Sequence, residues 1–133
     1  MRMDLIESIK RYTQENFSGD ARILAVYLLG SALRGRLDRE SDIDLALLLM
    51  PNAKMSSLER LQLANDLACQ LERTVDLGQI SSANLVYACE AFMSGIPVFQ
   101  RNPEQVALRR AGLLGMYIQF NQDRKEVLDA YQA

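Results

Sequence analysis

Residues 23–50 read ILAVYLLGSALRGRLDRESDIDLALLLM. Two apolar runs, 23–29 and 42–50, flank a polar, arginine-rich segment that opens on Gly30-Ser31. A continuous apolar run of this length bounded by glycine predicts a strand buried on both faces. Asp42 and Asp44 stand at the mouth of the second run. Asp is depleted in strands, and a buried carboxylate without a partner is costly. Residues two apart along a strand point to the same side, about 6.6 Å from each other. Asp42 and Asp44 are therefore expected on one face, with Ile43 and Leu45 on the other. Two such carboxylates repel unless a cation sits between them. Hard oxygen ligands without His or Cys suit Mg²⁺ or Mn²⁺, and a metal would remove the penalty.

The Gly30-Ser31 turn supplies the complementary half. A glycine lets a phosphate approach the backbone closely. The N–H groups at a helix start favour anions, and the Ser31 hydroxyl adds a donor. Arg34, with Arg36 and Arg39 beyond it, brings positive charge, and arginine suits bidentate phosphate contacts. An anion site beside a metal site describes a metal–triphosphate complex. Asp76, in the later stretch TVDLGQI at 74–80, is a third candidate. On a strand neighbouring the second run, it would hold a second metal or accept a proton from an attacking hydroxyl.

The rest of the chain frames this centre. At 133 residues it has the length of one domain with a real core, and residues 1–133 are expected to form it. The net charge of −2 gives no general pull toward nucleic acid or anionic membrane. The absence of histidine excludes a His-based triad and the usual zinc sites. Cys69 and Cys89 fall in apolar helical contexts and are expected to be reduced core thiols. No stretch reaches the roughly 18 apolar residues a membrane span needs. The N-terminus is too charged for a signal-peptide core, so a cytoplasmic protein is expected. It reads as an amphipathic helix with Leu5, Ile9 and Tyr12 on one face and Asp4-to-Glu7 as a capping box.

After the second run, Ser56 and Glu59 form another capping box. They open a helix with Leu61, Ala64, Leu67, Ala68 and Leu71 on one stripe. A helix over about 82–94 ends at Gly95. Residues 96–100, IPVFQ, read as an edge strand, because Pro97 argues against a central one. Asn102-Pro103-Glu104-Gln105 opens a last helix that runs to about Tyr131. Its Val106, Leu113, Met116, Tyr117 and Phe120 are apolar, and the expectation favours core over interface for that face. The order α-β-β-α-β-α-β-α predicts an α/β (α+β) fold, a small mixed β-sheet covered by helices.

Gly30-Ser31, ten residues, then Asp42-Ile43-Asp44 resembles the signature of the DNA polymerase β-like nucleotidyltransferases. The fuller stretch GSALRGRLDRESDIDL, with Arg34-Gly35 and Ser41, is similar to the minimal, MNT-type members, and VDL at 75–77 stands where they carry a third carboxylate. The resemblance implies the nucleotidyltransferase fold and Mg²⁺-dependent transfer of a nucleotide from ATP with loss of pyrophosphate. It implies that Gly30 and Ser31, with Arg34 and Ser41, bind the nucleotide, that Asp42 and Asp44 ligate metal, and that Asp76 completes the triad as catalytic residue and metal ligand. Small members often act as antitoxins that attach AMP to a tyrosine of a HEPN-domain ribonuclease toxin, which implies a hetero-oligomer with that toxin. Relatives that modify small molecules usually carry a further domain for the acceptor. The short stretch after Asp76 therefore favours a protein acceptor. The competing readings are an antitoxin that blocks by contact alone and nucleotidyl transfer to a small molecule such as an antibiotic. The acidic balance disfavours a nucleic-acid polymerase.

Overall fold

The computed structural model describes residues 2–30 and 42–132. Its elements are α1 (Arg2–Phe17), β1 (Ile23–Leu29), β2 (Ile43–Leu49), α2 (Ser57–Leu71), β3 (Val75–Ile80), α3 (Leu85–Ser94), β4 (Ile96–Gln100) and α4 (Pro103–Gln132). The four strands form one sheet in the order β3-β2-β1-β4. β1 pairs antiparallel with β2 and with β4, while β2 and β3 run parallel. The sheet is mixed, as expected, and β4 with its Pro97 lies at an edge.

The apolar runs become the two central strands because both faces are covered. All seven residues of β1 are buried. On one face α1 and α2 pack Ile9, Phe17, Ala64 and Leu67 against Ile43, Leu45 and Leu47. On the other, α3 and the first half of α4 pack Ala88, Ala91, Phe92, Val106 and Leu113 against Tyr27, Ala46 and Leu48. A register shift between Ile23 and Ala25 marks a bulge in β1.

Local signals explain most element ends. The Ser56 hydroxyl accepts from the Glu59 N–H at 3.1 Å, and the reciprocal bond completes the capping box. The Asn102 side chain caps α4 by accepting from the Gln105 N–H at 3.1 Å. α3 begins three residues later than expected, because the Asn84 side chain caps it by accepting from the Tyr87 N–H. α1 begins at Arg2, ahead of Asp4, so Asp4 is not the cap position expected with Glu7. Arg101 ties the sheet to the α1–β1 turn by donating to the carbonyls of Ile23, Phe17, Ser18 and Asp20.

Three burial expectations fail for one reason: spacing says which residues share a side, not how far the opposing layer extends. Leu61 is 56% exposed, and Leu63 packs on the core instead. Cys69 is exposed and Cys89 half-buried, so neither is a core thiol. On α4, Val106 and Leu113 are buried, but Met116 and Phe120 are exposed and Tyr117 is half-buried. Val106, Leu113, Tyr117, Phe120, Val127 and Tyr131 recur at steps of seven, four and three, which puts them on one side of the helix. Leu113 is the last residue of that strip in the buried core, with Leu114 packed beside it. The helix then runs about 27 Å further with no fully buried residue.

Candidate active site

The end of β1 meets the beginnings of β2 and β3 at one edge of the sheet. Leu29 pairs with Asp44, and Asp44 pairs in parallel register with Asp76. Three residues distant in sequence, Gly30, Asp44 and Asp76, thereby line one cavity of about 320 Å³. Asp44 shares its face with Ala46 and Leu48, the α3 side, and Ile43 and Leu45 pack on the other side as predicted. Asp76 is exposed on the edge strand, and Asp42 is exposed immediately before β2.

Gly30 has a structural reason to be glycine. Its φ is +78°, a region that favours glycine. A Cβ there would also stand 2.7 Å from the Asp44 Oδ2. Strand end and carboxylate are therefore packed against each other without a side chain between them. Burial pushes the Asp44 carboxyl above the ordinary carboxylate range, and the charges of Asp76 and Asp42 add to the shift. Its ionised form is disfavoured by lost solvation and by two like charges. Among the described residues no three Asp, Glu or Cys side chains make a ready cage for a metal ion. The arrangement is an open set of carboxylates, and Mg²⁺ is usually held by one or two carboxylates together with substrate phosphates. The donor chemistry fits that ion.

The α3 side of the cavity holds residues the sequence did not single out. Tyr87 and Glu90, one helical turn apart, line it with Gly78. Gly78 lies two residues past Asp76 on β3 and pairs with Ala46. A Cβ on Gly78 would stand 2.9 Å from the Tyr87 Cζ and overlap its hydroxyl. Burial raises the Tyr87 phenol above its ordinary value, with Asp76, Asp44 and Glu90 adding to the effect. The one available sequence signal was Gly78, since glycine inside a strand often marks close approach of another group. A larger groove of about 580 Å³ lies between Met50, Pro51 and α4, near the far end of β2. Among the described residues no acidic side chain lines it, so size does not locate the chemistry here. Ser31, Arg34 and Ser41, with Arg36 and Arg39, lie outside the described residues.

A model of the polymerase β nucleotidyltransferase family matches residues 7–104. The chain belongs to this nucleotidyltransferase family. The protein adenylyltransferase MntA of Shewanella oneidensis is 29% identical over 114 residues, spanning 84% of this chain and 78% of that protein. A crystal structure of a toxin–antitoxin with AMP-PNP contains a chain 26% identical to this one, with a TM-score of 0.73 over 96% of this chain and 98% of that chain. A complex of tri-AMPylated Shewanella oneidensis HEPN toxin with MNT antitoxin contains a chain that matches over the full length of both, with a TM-score of 0.70 and 23% identity. At that identity the likeness is one of fold. The mixed sheet with helices on both faces is thus the nucleotidyltransferase fold, and the family match runs through β1, β2 and β3, the three strands that build the cavity. Among the described residues no helix is long and apolar enough to cross a membrane.

Proposed function

We propose that this nucleotidyltransferase moves AMP from ATP to a tyrosine hydroxyl of a HEPN-domain toxin and thereby acts as its antitoxin. The observation that carries the reading is the convergence of Gly30, Asp44 and Asp76 on one cavity from three strands. The MntA relative and the complex with AMP-PNP support ATP as donor and a toxin as acceptor. Residues 1–133 then act as a single minimal nucleotidyltransferase domain, in the cytoplasm where ATP and such a toxin meet.

Asp42, Asp44 and Asp76 would hold Mg²⁺, which when bound neutralises the triphosphate and favours ionisation of the acceptor hydroxyl. The missing side chain at Gly30 leaves the backbone open to the β and γ phosphates, with Ser31, Arg34 and Ser41 as further donors. The acceptor oxygen attacks the α-phosphorus in line, the bond to the bridging oxygen breaks, and pyrophosphate leaves. Asp76, exposed on the edge strand, accepts the hydroxyl proton. Purified protein, ATP, Mg²⁺ and the partner should yield adenylyl groups that map to tyrosine. A partner left unmodified under conditions where ATP binds would overturn the proposal.

The exposed apolar strip on the second half of α4 favours a second reading, neutralisation by contact alone. Asp42→Ala/Asp44→Ala separates the two. Full neutralisation by that variant supports contact, and its loss supports transfer.

A further inference from the structure

We propose that Tyr87 is an acceptor-contact residue, whose ring forms the wall against which the acceptor's aromatic ring is seated for attack. The inference rests on the adenylyl-transfer reading above and adds the side from which the acceptor enters. In-line displacement sets the attacking and leaving oxygens on opposite sides of the phosphorus. With the leaving phosphates on the Gly30 side of Asp44, the attacking hydroxyl must come from the other side. Crossing the sheet from Gly30 past Asp44 leads to Asp76 and Gly78 on β3, and then to Tyr87 and Glu90 on α3.

The packing keeps Tyr87 in that place. Gly78 leaves space above β3, and the Tyr87 phenol fills it, with its hydroxyl against the glycine. The α3 cap holds the backbone of the same residue, since the Tyr87 N–H donates to the Asn84 side chain at 3.2 Å. The ring therefore bridges α3 and β3 and closes the cavity on the side away from Gly30. An aromatic wall favours an aromatic acceptor, because offset or edge-to-face ring pairs add to the apolar contact. The acceptor class is a phenolic hydroxyl, not an aliphatic hydroxyl.

Steady-state transfer to the HEPN partner tests this with Tyr87→Ala, Tyr87→Leu and Tyr87→Phe. The alanine and leucine variants should raise the KM for the partner about tenfold and move the KM for ATP less than about twofold. Leucine keeps apolar bulk over Gly78 and serves if alanine fails to fold. Phenylalanine should recover most of the acceptor affinity that alanine loses, since the ring is retained. A role confined to holding α3 on β3 would shift both KM values together. An unchanged partner KM in both variants, or an equal rise for ATP, overturns the proposal while the adenylyl-transfer reading stands. A partner left unmodified by the wild-type protein overturns that reading, and the Tyr87 proposal with it.

Discussion

Gly30→Ala probes the junction on which the site depends. The substitution adds one methyl group and no charge, so its effects are steric and conformational. At φ +78° an alanine occupies a left-handed conformation that L-residues avoid. That strain costs about 1–2 kcal/mol. The new Cβ also stands 2.7 Å from the Asp44 Oδ2, well inside ordinary contact distance. The carboxylate must retreat by about 0.7 Å, or the strand end must move with it. Misplacing a reacting group by about 1 Å can cost about a hundredfold in rate. Gly30→Ala is therefore expected to lose about 1–2 kcal/mol in urea unfolding and to slow AMP transfer by roughly tenfold to a hundredfold. Gly19→Ala is the control, since a Cβ there meets nothing within 4 Å. It should stay within about 0.5 kcal/mol of wild type and transfer at the wild-type rate. Single-turnover transfer and urea unfolding, run side by side on the three proteins, make the test. A Gly30→Ala protein as stable and as fast as wild type would refute the packing of Gly30 on Asp44 and its role in the chemistry.

Asp44→Asn should raise the stability of the metal-free protein near neutral pH while abolishing transfer, because it removes a charge disfavoured by burial and by Asp76 and Asp42. Thermal melts should then show wild type gaining more from Mg²⁺ with ATP than the variant does. Arg22 pairs with Asp20 at 2.7 Å and with Glu59 at 2.6 Å, and it holds both carboxyls below their ordinary values. Their contribution is present above the unfolded-state values of 3.8 and 4.5 and is lost as pH falls through the lower folded ones. Urea midpoints of Arg22→Met should accordingly fall less on acidification than those of wild type. Arg101→Ala strips charged donors from four carbonyls and should cost about 2–3 kcal/mol, with lysine restoring only part. Gly115→Ala meets no atom within 4 Å inside α4 and should stabilise by up to about 1 kcal/mol.

What the sequence makes legible here is what short-range pattern determines. ILAVYLL has no polar alternation, and β1 is buried on both faces. Ser56 and Asn102 announce their helices through bonds made within one turn, and Pro103 through a fixed φ that suits the first helical position. The Asp44 face follows from the period of a strand. Asp76 was reachable because β2 and β3 are joined by one helix and pair in parallel, which brings their starts together. Tyr87 was not reachable, since its place over Gly78 depends on how α3 crosses the sheet. Spacing gave no warning about α4 either. A strip that docks on its own body and a strip left for another molecule have the same period, and the difference lies in where the opposing layer stops. Leu61 and Cys69 failed for the same reason on α2.

If Asp44 and Asp76 drive transfer to a tyrosine of a HEPN partner, both carboxylates are needed for the modification. The most direct measurement is the intact mass of that partner after co-expression with wild type, with Asp44→Asn and with Asp76→Asn. Adenylyl increments are expected with wild type alone and absent with either variant. An unmodified partner in a stable complex with wild type, or equal increments with all three proteins, would contradict this expectation.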